Sequence, residues 1–148
     1  MRWRELSRGK HGRTVALVFS TGDEVMATLS EWCREQKIGA ARFTAIGALS
    51  DVTLGWFDWQ AKSYREIPFD EQVEVLTLAG DVALQDDQPA LHVHLVVGRA
   101  DGTAHGGHLM RAHVRPTLEL ILEESPAHLR KRHDPESGLA LIAPDARD

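Results

Sequence analysis

The sequence contains a single cysteine, Cys33, so the chain cannot form an internal disulfide. A reducing compartment, the cytoplasm, is therefore the expected location. No apolar run approaches the ~20 residues that span a bilayer, and residues 1–6 lack the apolar stretch of a secretion signal. The sequence thus predicts a protein without a membrane segment.

Several motifs of nucleotide and hydrolase chemistry are also missing. The chain has no Gly-x-x-x-x-Gly-Lys phosphate loop, no Gly-x-Gly-x-x-Gly fingerprint, no Gly-x-Ser-x-Gly elbow and no His-Glu-x-x-His helix. Nucleotide chemistry and serine-triad hydrolysis therefore lack their usual residues here.

Positive charge is in deficit, because 17 lysines and arginines face 22 acidic residues and the net charge is −5. This argues against the broad basic surface that drives non-specific binding to nucleic acid. The basic residues do cluster, in the N-terminal segment 1–13 and again at 130–133. We interpret both clusters as solvated surface or tail, so the acidic net charge disfavours nucleic acid as a partner.

Histidine, by contrast, is concentrated, with five of the eight falling within residues 92–113. In a strand successive side chains point to opposite faces, so His92 and His94 share one face while Leu91, Val93 and Leu95 fill the other. Residues two apart are roughly 6.5 Å apart along a strand. Both imidazoles can therefore meet an ion that takes nitrogen at about 2.0–2.1 Å.

The turn at residues 99–103 decides whether His108 joins this pair. A three-residue loop with Gly102 in the left-handed conformation places His108 opposite His94, on the same face. A two-residue loop places His108 opposite Leu95, on the wrong face, unless a bulge at the two following glycines corrects the register. The sequence permits a three-histidine site but does not force it.

Apolar periodicity predicts one helix and many strands. A buried strand is expected over 14–19, and Thr21-x-x-Glu24 has the form of a capping box for a helix that runs to about Lys37. The remaining predicted strands are 42–49, 52–59, 64–67, 71–82, the histidine hairpin and 110–122. This pattern predicts an α+β fold, a largely antiparallel sheet with one main helix near the N-terminus.

The length favours one compact domain over residues 1–148. We expect its core to cover about 15–142 and the tail, 143–148, to be frayed.

In the strand at 110–122, counting from the proposed loop puts Met110 and Ala112 on the metal face and His113 on the other, unless a bulge intervenes. Pro116 indicates an edge position or a bulge.

Glu74 is the acidic residue that draws attention, because it lies in a run that is apolar on both faces. A carboxylate drawn into such a strand is costly unless it is paired or ligated. We therefore predict Glu74 as a fourth ligand, or as a catalytic acid or base beside the ion. The alternative is that it sits at the exposed beginning of its strand, next to Gln72.

Seven separated segments resemble, in order, those of the PPC domain, which is shared by plants and prokaryotes. They are Gly22–Val25, Ile46–Leu49, Leu54–Asp58, Glu74–Gly80, His92–His94, Gly106–Leu109 and Asp134–Leu139. The match runs from about Val15 to Ile142. The resemblance implies a compact α+β fold that assembles as a homotrimer. In plant relatives, DNA-groove binding belongs to an adjoining A·T hook, whose Arg-Gly-Arg-Pro core this chain lacks.

The fold also looks similar to that of acetolactate decarboxylase, a zinc enzyme with a His-x-His pair and a later histidine. Onto that pattern His92, His94 and His108 map in order. The first hypothesis is accordingly a homotrimer that holds a divalent metal through these histidines, with a small-molecule ligand at the ion. Zinc is the expected metal, although imidazole also suits iron, nickel and manganese.

The second hypothesis is a non-catalytic regulatory module that contacts DNA or a protein partner through its basic ends. The sequence does not decide between an enzyme and such a module.

Overall fold

The computed structural model describes residues 1–145, which form nine strands and one helix. In chain order these are β1 (Arg2–Gly9), β2 (Gly12–Ser20), α1 (Val25–Glu35), β3 (Ala40–Asp58), β4 (Ser63–Phe69), β5 (Val73–Gln85), β6 (Gln88–Gly98), β7 (Ala104–Glu124), β8 (Lys131–His133) and β9 (Ala140–Ile142). The predicted antiparallel sheet with a helix is confirmed in outline.

Every pairing between these strands is antiparallel, and seven of them form one sheet in the order β1-β2-β7-β6-β5-β3-β4. Because β3 also pairs with β7, the strands β3, β5, β6 and β7 close into a ring. The last two strands, β8 and β9, form a separate hairpin. The ring places β6 between β5 and the first residues of β7.

Alternation along the strands builds a single core inside this sheet. Leu118, Leu120 and Leu122 of β7 are completely or almost completely buried, and Leu17 and Phe19 of β2 are fully buried. Burying each such side chain contributes roughly 1.5–3 kcal/mol. Of the residues between them, Glu119 and Ile121 of β7 are exposed on the outer face.

The N-cap of the helix lies three residues later than the sequence suggested. Glu24, not Thr21, is the N-cap, and its carboxylate accepts hydrogen bonds from the backbone amides of Met26 and Ala27. The helix ends at Glu35 and buries four side chains at helical spacing, namely Val25, Leu29, Trp32 and Cys33. It follows two strands, so the prediction of a helix near the N-terminus holds only coarsely.

The basic N-terminal segment is strand rather than tail. β1 pairs with β2 from Arg2↔Val18 to Gly9↔Gly12, although most of its side chains are exposed. Trp3 packs edge-on against Trp32 of the helix, with 5.7 Å between ring centroids. Backbone pairing and this ring contact hold β1 in place. Neither requires alternating apolar residues, so the sequence gives no clear signal for this strand.

The two strands predicted over 42–49 and 52–59 are one bent strand, β3. Register shifts near Ile46 and Ser50 bend it without ending it. Gly47 lies at one bend with a φ of +153°, and a Cβ there would come within 2.2 Å of the Thr117 carbonyl oxygen. A shift in the β3–β7 register next to Pro116 agrees with the predicted bulge.

The C-terminal residues remain attached as far as they are described. The Ala143 amide donates to the Arg130 carbonyl at 2.9 Å. The predicted frayed tail falls partly on residues 146–148, which lie outside the described residues. Within 1–145, no helix has both the length and the apolar character needed to cross a bilayer.

Candidate metal centre

The turn between β6 and β7 adopts the three-residue form. Gly102 has a φ of +82°, and the Arg99 amide donates to the Thr103 carbonyl at 2.9 Å. The Asp101 carboxylate accepts from the Thr103 amide and hydroxyl, which fixes the loop. The register that follows sets His94 directly opposite His108, so the three-residue loop is the one of the two alternatives that the chain adopts.

Three histidines converge as a result. The ligand nitrogens of His92, His94 and His108 all lie within 4.8 Å of one another. The Nε2 atoms of His92 and His94 are 3.2 Å apart, close to the roughly 3.3 Å that tetrahedral zinc imposes on two nitrogen ligands. The Nδ1 atom of His108 is buried without a hydrogen-bond partner among the described residues. The three histidines thus form a group that could hold one metal ion.

Electrostatics keep two of these rings in the form that binds metal. Burial, reinforced by His94, His92 and Lys131, lowers the pKa of His108 to about 4. Burial and the neighbouring His92 also lower the pKa of His94. The ring of Tyr64 stacks on His108 with 4.7 Å between centroids. Both imidazoles are thus neutral at pH 7, with a lone pair available for coordination.

Two charged residues that the sequence did not assign to the site lie beside it, Asp81 and Lys131. The interpretation of the basic cluster at 130–133 as solvated surface is wrong for Lys131, whose side chain is only 6% exposed. Asp81 lies opposite His92 in the β5–β6 pair, and its Oδ2 is 3.5 Å from His92 Nδ1. Its other oxygen is 3.8 Å from Lys131 Nζ and is buried without a hydrogen bond within the described chain. A carboxylate behind a metal-binding histidine fixes the ring's orientation and tautomer. Asp81 lies on that side of His92, at ion-pair distance.

A local signal for Asp81 exists in the sequence. Asp86 and Asp87 form a two-residue turn in which both residues have positive φ, 50° and 60°, as hairpin turns of this length require. Counting back from the Gln85↔Gln88 pair brings Asp81 opposite His92. For Lys131 no comparable signal exists, because β8 reaches the site through tertiary packing.

Glu74 is not brought to the histidines. Its side chain is exposed on β5, opposite Gly98, which lies four residues beyond His94. That separation is about 13 Å along the strand. Glu74 lies near the start of its strand, as the alternative interpretation had it, and the acidic residue beside the histidines is Asp81.

A bulge reverses the face predicted for part of β7. The register against β3 shifts at Met110, between the pairs Leu54↔Leu109 and Thr53↔Arg111. Ala112 consequently faces the core and is fully buried, so the prediction that it lies on the metal face is wrong. His113 lies outside the histidine group, with its Nδ1 2.8 Å from an oxygen of Asp51.

A cavity of about 450 Å³ opens beside the histidines. His92, His108 and Tyr64 line one part of it, and Lys131 reaches it from β8. Leu139, which precedes β9 in the C-terminal hairpin, and Leu141 and Ile142 of β9 also line it. The centre therefore borders a space of the size that small-molecule sites usually have.

Comparison with known proteins gives a family match over most of the chain. A family model described as the Plants and Prokaryotes Conserved (PCC) domain matches residues 6–126. Two Synechococcus proteins described as bifunctional protein GlmU are each 30% identical, over 129 and 120 residues. These matches cover 85% and 79% of this chain, but only 20% and 18% of the relatives. The chain thus spans about a fifth of the length of the curated relatives it matches.

Solved structures agree more completely in length. A plant- and prokaryote-conserved (PPC) protein from Pyrococcus horikoshii is 30% identical, with a TM-score of 0.86 over 90% of this chain and 93% of that one. A metal-containing protein from Archaeoglobus fulgidus is also 30% identical, with a TM-score of 0.82 over 90% and 95%. A candidate DNA-binding protein from Bacteroides thetaiotaomicron is 27% identical, with a TM-score of 0.84 over 95% and 96%.

The likeness to acetolactate decarboxylase is one of fold alone. The Bacillus subtilis enzyme matches with a TM-score of 0.57 at 11% identity, over 74% of this chain and 51% of that one. The resemblance in fold that the sequence suggested is confirmed.

Proposed function

The chain belongs to the Plants and Prokaryotes Conserved (PCC) domain family, and from that premise we propose that it is a divalent-metal protein whose ion is held by His92, His94 and His108. The observation that carries the proposal is the convergence of three imidazoles on the outer face of one hairpin. Zinc is the expected ion, because three nitrogen ligands at these separations suit its tetrahedral geometry. A structural neighbour from Archaeoglobus fulgidus is itself metal-containing, which supports the same assignment.

The donor set has the composition of catalytic rather than structural zinc sites, since three protein ligands leave a coordination position open. A divalent ion held there supplies Lewis acidity and lowers the pKa of bound water. Asp81 orients His92 from behind, and Tyr64 holds the ring of His108 by stacking. The cavity beside the centre would give a small molecule access to His92 and His108 and so to an ion held there.

Metal content tests the proposal directly. Untagged protein dialysed against zinc and then against metal-free buffer should retain close to one ion per chain. His94→Ala should lose most of it, because two imidazoles hold the ion much less tightly. His11→Ala is the matched control, since His11 is exposed on the turn between β1 and β2. Wild-type protein that retains no zinc, or equal retention by both variants, contradicts the proposal.

We infer further that the protein assembles as a homotrimer, as the family resemblance implies. Three large apolar side chains are exposed on neighbouring strands of the outer face, Ile46 at 63%, Leu76 at 54% and Ile121 at 42%. Such a patch is a typical subunit contact. Light scattering should give three times the chain mass, and Ile46→Glu should reduce it. A monomeric wild-type protein at micromolar concentration contradicts the inference.

A non-catalytic role in binding DNA is the second candidate, favoured by the neighbour from Bacteroides thetaiotaomicron. The terminal basic residues are partly neutralised, because Arg8 pairs with Glu5, and Arg13 with Glu124. Real phosphate contact should appear as affinity for duplex DNA that falls steeply as salt rises. Negligible binding at low salt excludes this role.

A further inference from the structure

Both polar and apolar side chains line the cavity beside the histidines. We call His92, His108 and Lys131 its polar end, and Leu139, Leu141 and Ile142 its apolar end. One hairpin brings the two ends together, because Lys131 of β8 pairs with Ile142 of β9. A ligand that fills this space therefore meets a charged group and a hydrocarbon wall at once.

Lys131 is the unusual feature of the polar end. Only 6% of its side chain is exposed, and an ammonium buried to this degree is costly unless its donors are satisfied. Its closest acidic atom, an oxygen of Asp81, lies at 3.8 Å, which is an ion pair but longer than a hydrogen bond. The ammonium thus has donors to offer to an oxygen inside the cavity.

The charge at this end is positive once the ion is bound. The charges of Lys131 and Asp81 offset each other, and the described residues that line the cavity include no carboxylate. The two charges of a divalent ion on three neutral imidazoles are therefore left without a counter-charge. An anionic oxygen ligand satisfies both the ion and the ammonium.

The apolar end limits what that anion is attached to. Leu141 and Ile142 are 46% and 38% exposed, so the cavity wall presents hydrocarbon that a ligand can cover. A phosphate or sulfate would turn several charged oxygens toward this wall, whereas a carboxylate has only two oxygens and continues as hydrocarbon. The shape and chemistry favour one charged head and a short apolar tail.

We propose that the cavity binds a small monocarboxylate, with the carboxylate between the metal position and Lys131 and the hydrocarbon tail against Leu139, Leu141 and Ile142. This proposal rests on the metal site proposed above. It assigns Lys131 as a binding residue for the anionic head. It assigns the C-terminal hairpin as the element that selects the tail.

Calorimetric titration of zinc-loaded protein with hexanoate tests this assignment, with acetate and hexanol as probes of the head and the tail alone. Hexanoate should bind at least tenfold more tightly than either. Lys131→Met should weaken hexanoate about tenfold or more. The control Arg132→Met, on the neighbouring exposed residue of β8, should bind hexanoate as the wild type does.

A second variant guards against loss of folding in the first. Leu141→Asn, at a half-exposed position, should bring the affinity for hexanoate close to that for acetate. Zinc content is measured for every variant. Normal zinc content with no preference for hexanoate overturns the carboxylate proposal and leaves the metal site standing. If the wild type retains no zinc, the metal site fails. The same titration on metal-free protein then decides whether Lys131 and the apolar wall bind hexanoate without an ion. If hexanoate does not bind there either, the carboxylate proposal is overturned as well.

Discussion

Replacing Asp81 by asparagine isolates the contribution of the carboxylate behind His92. The substitution keeps the side-chain shape and an oxygen acceptor, but it removes the negative charge that lies 3.5 Å from His92 Nδ1. Loss of such a partner typically weakens metal binding 10–100-fold. Asp81 is 29% exposed and His92 is 48% exposed, so solvent screens the pair and the effect should lie near the tenfold end, about 1.4 kcal/mol.

That loss converts into a change in thermal stability. With free zinc at 100 times the wild-type Kd, the ion stabilises the wild type by about 2.7 kcal/mol, and a tenfold weaker variant by about 1.4 kcal/mol. For a domain of this size, 1 kcal/mol shifts Tm by about 2–4 °C. Zinc should therefore raise Tm by about 5–11 °C in the wild type and by about half as much in Asp81→Asn.

The assay is thermal unfolding with zinc and with chelator, alongside competition against a chromophoric chelator. The chelator baseline is needed because Asp81→Asn also removes the partner of Lys131, which lowers the stability of the metal-free protein. Asp86→Asn is the matched control, since it removes the same charge from an exposed turn position of the same hairpin. Equal zinc affinities of the two variants refute the reasoning.

Two further predictions concern buried packing, one next to His92 and one in the helix. Gly80→Ala should destabilise the protein by about 1–3 kcal/mol, because its Cβ would lie 2.4 Å from Phe43 Cζ and 2.7 Å from the His92 carbonyl oxygen. Gly106→Ala is the control, since the atom nearest to its Cβ is 3.3 Å away. Equal urea midpoints of the two variants contradict this prediction. Burial, with a smaller effect from Glu124, raises the pKa of Cys33 to about 12, so a thiol reagent at pH 8 should label this residue only as the protein unfolds. Complete labelling of native protein within minutes contradicts that expectation.

Local turn chemistry explains why the sequence permits the three-histidine arrangement. Gly102 allows a left-handed loop residue, and that loop sets His94 opposite His108. The residues alone also allow the two-residue loop, because Asp101-Gly102 suits either turn. The structure resolves this through the capping of the loop by the Asp101 carboxylate.

The features that the sequence did not predict depend on long-range packing. The bulge at Met110 arises from how β7 pairs with β3, more than fifty residues earlier in the chain, and it reverses the face of Ala112. The position of Lys131 depends on where β8 docks. Glu74 drew attention because its neighbours in the sequence are apolar. The carboxylate that lies at the site is that of Asp81, because Asp81 pairs with His92 across the β5–β6 ladder.

All three proposed metal ligands lie on one hairpin, within residues 92–108. Closing so short a segment around an ion costs little chain entropy, and the unfolded protein therefore also contains a zinc-binding sequence. Binding to the denatured chain subtracts from the stabilisation that zinc confers on the native state, so the Tm shifts given above are upper values. The same locality allows the ion to pair β6 with β7 before the rest of the sheet has formed, which would make metal supply a determinant of folding rate as well as of stability.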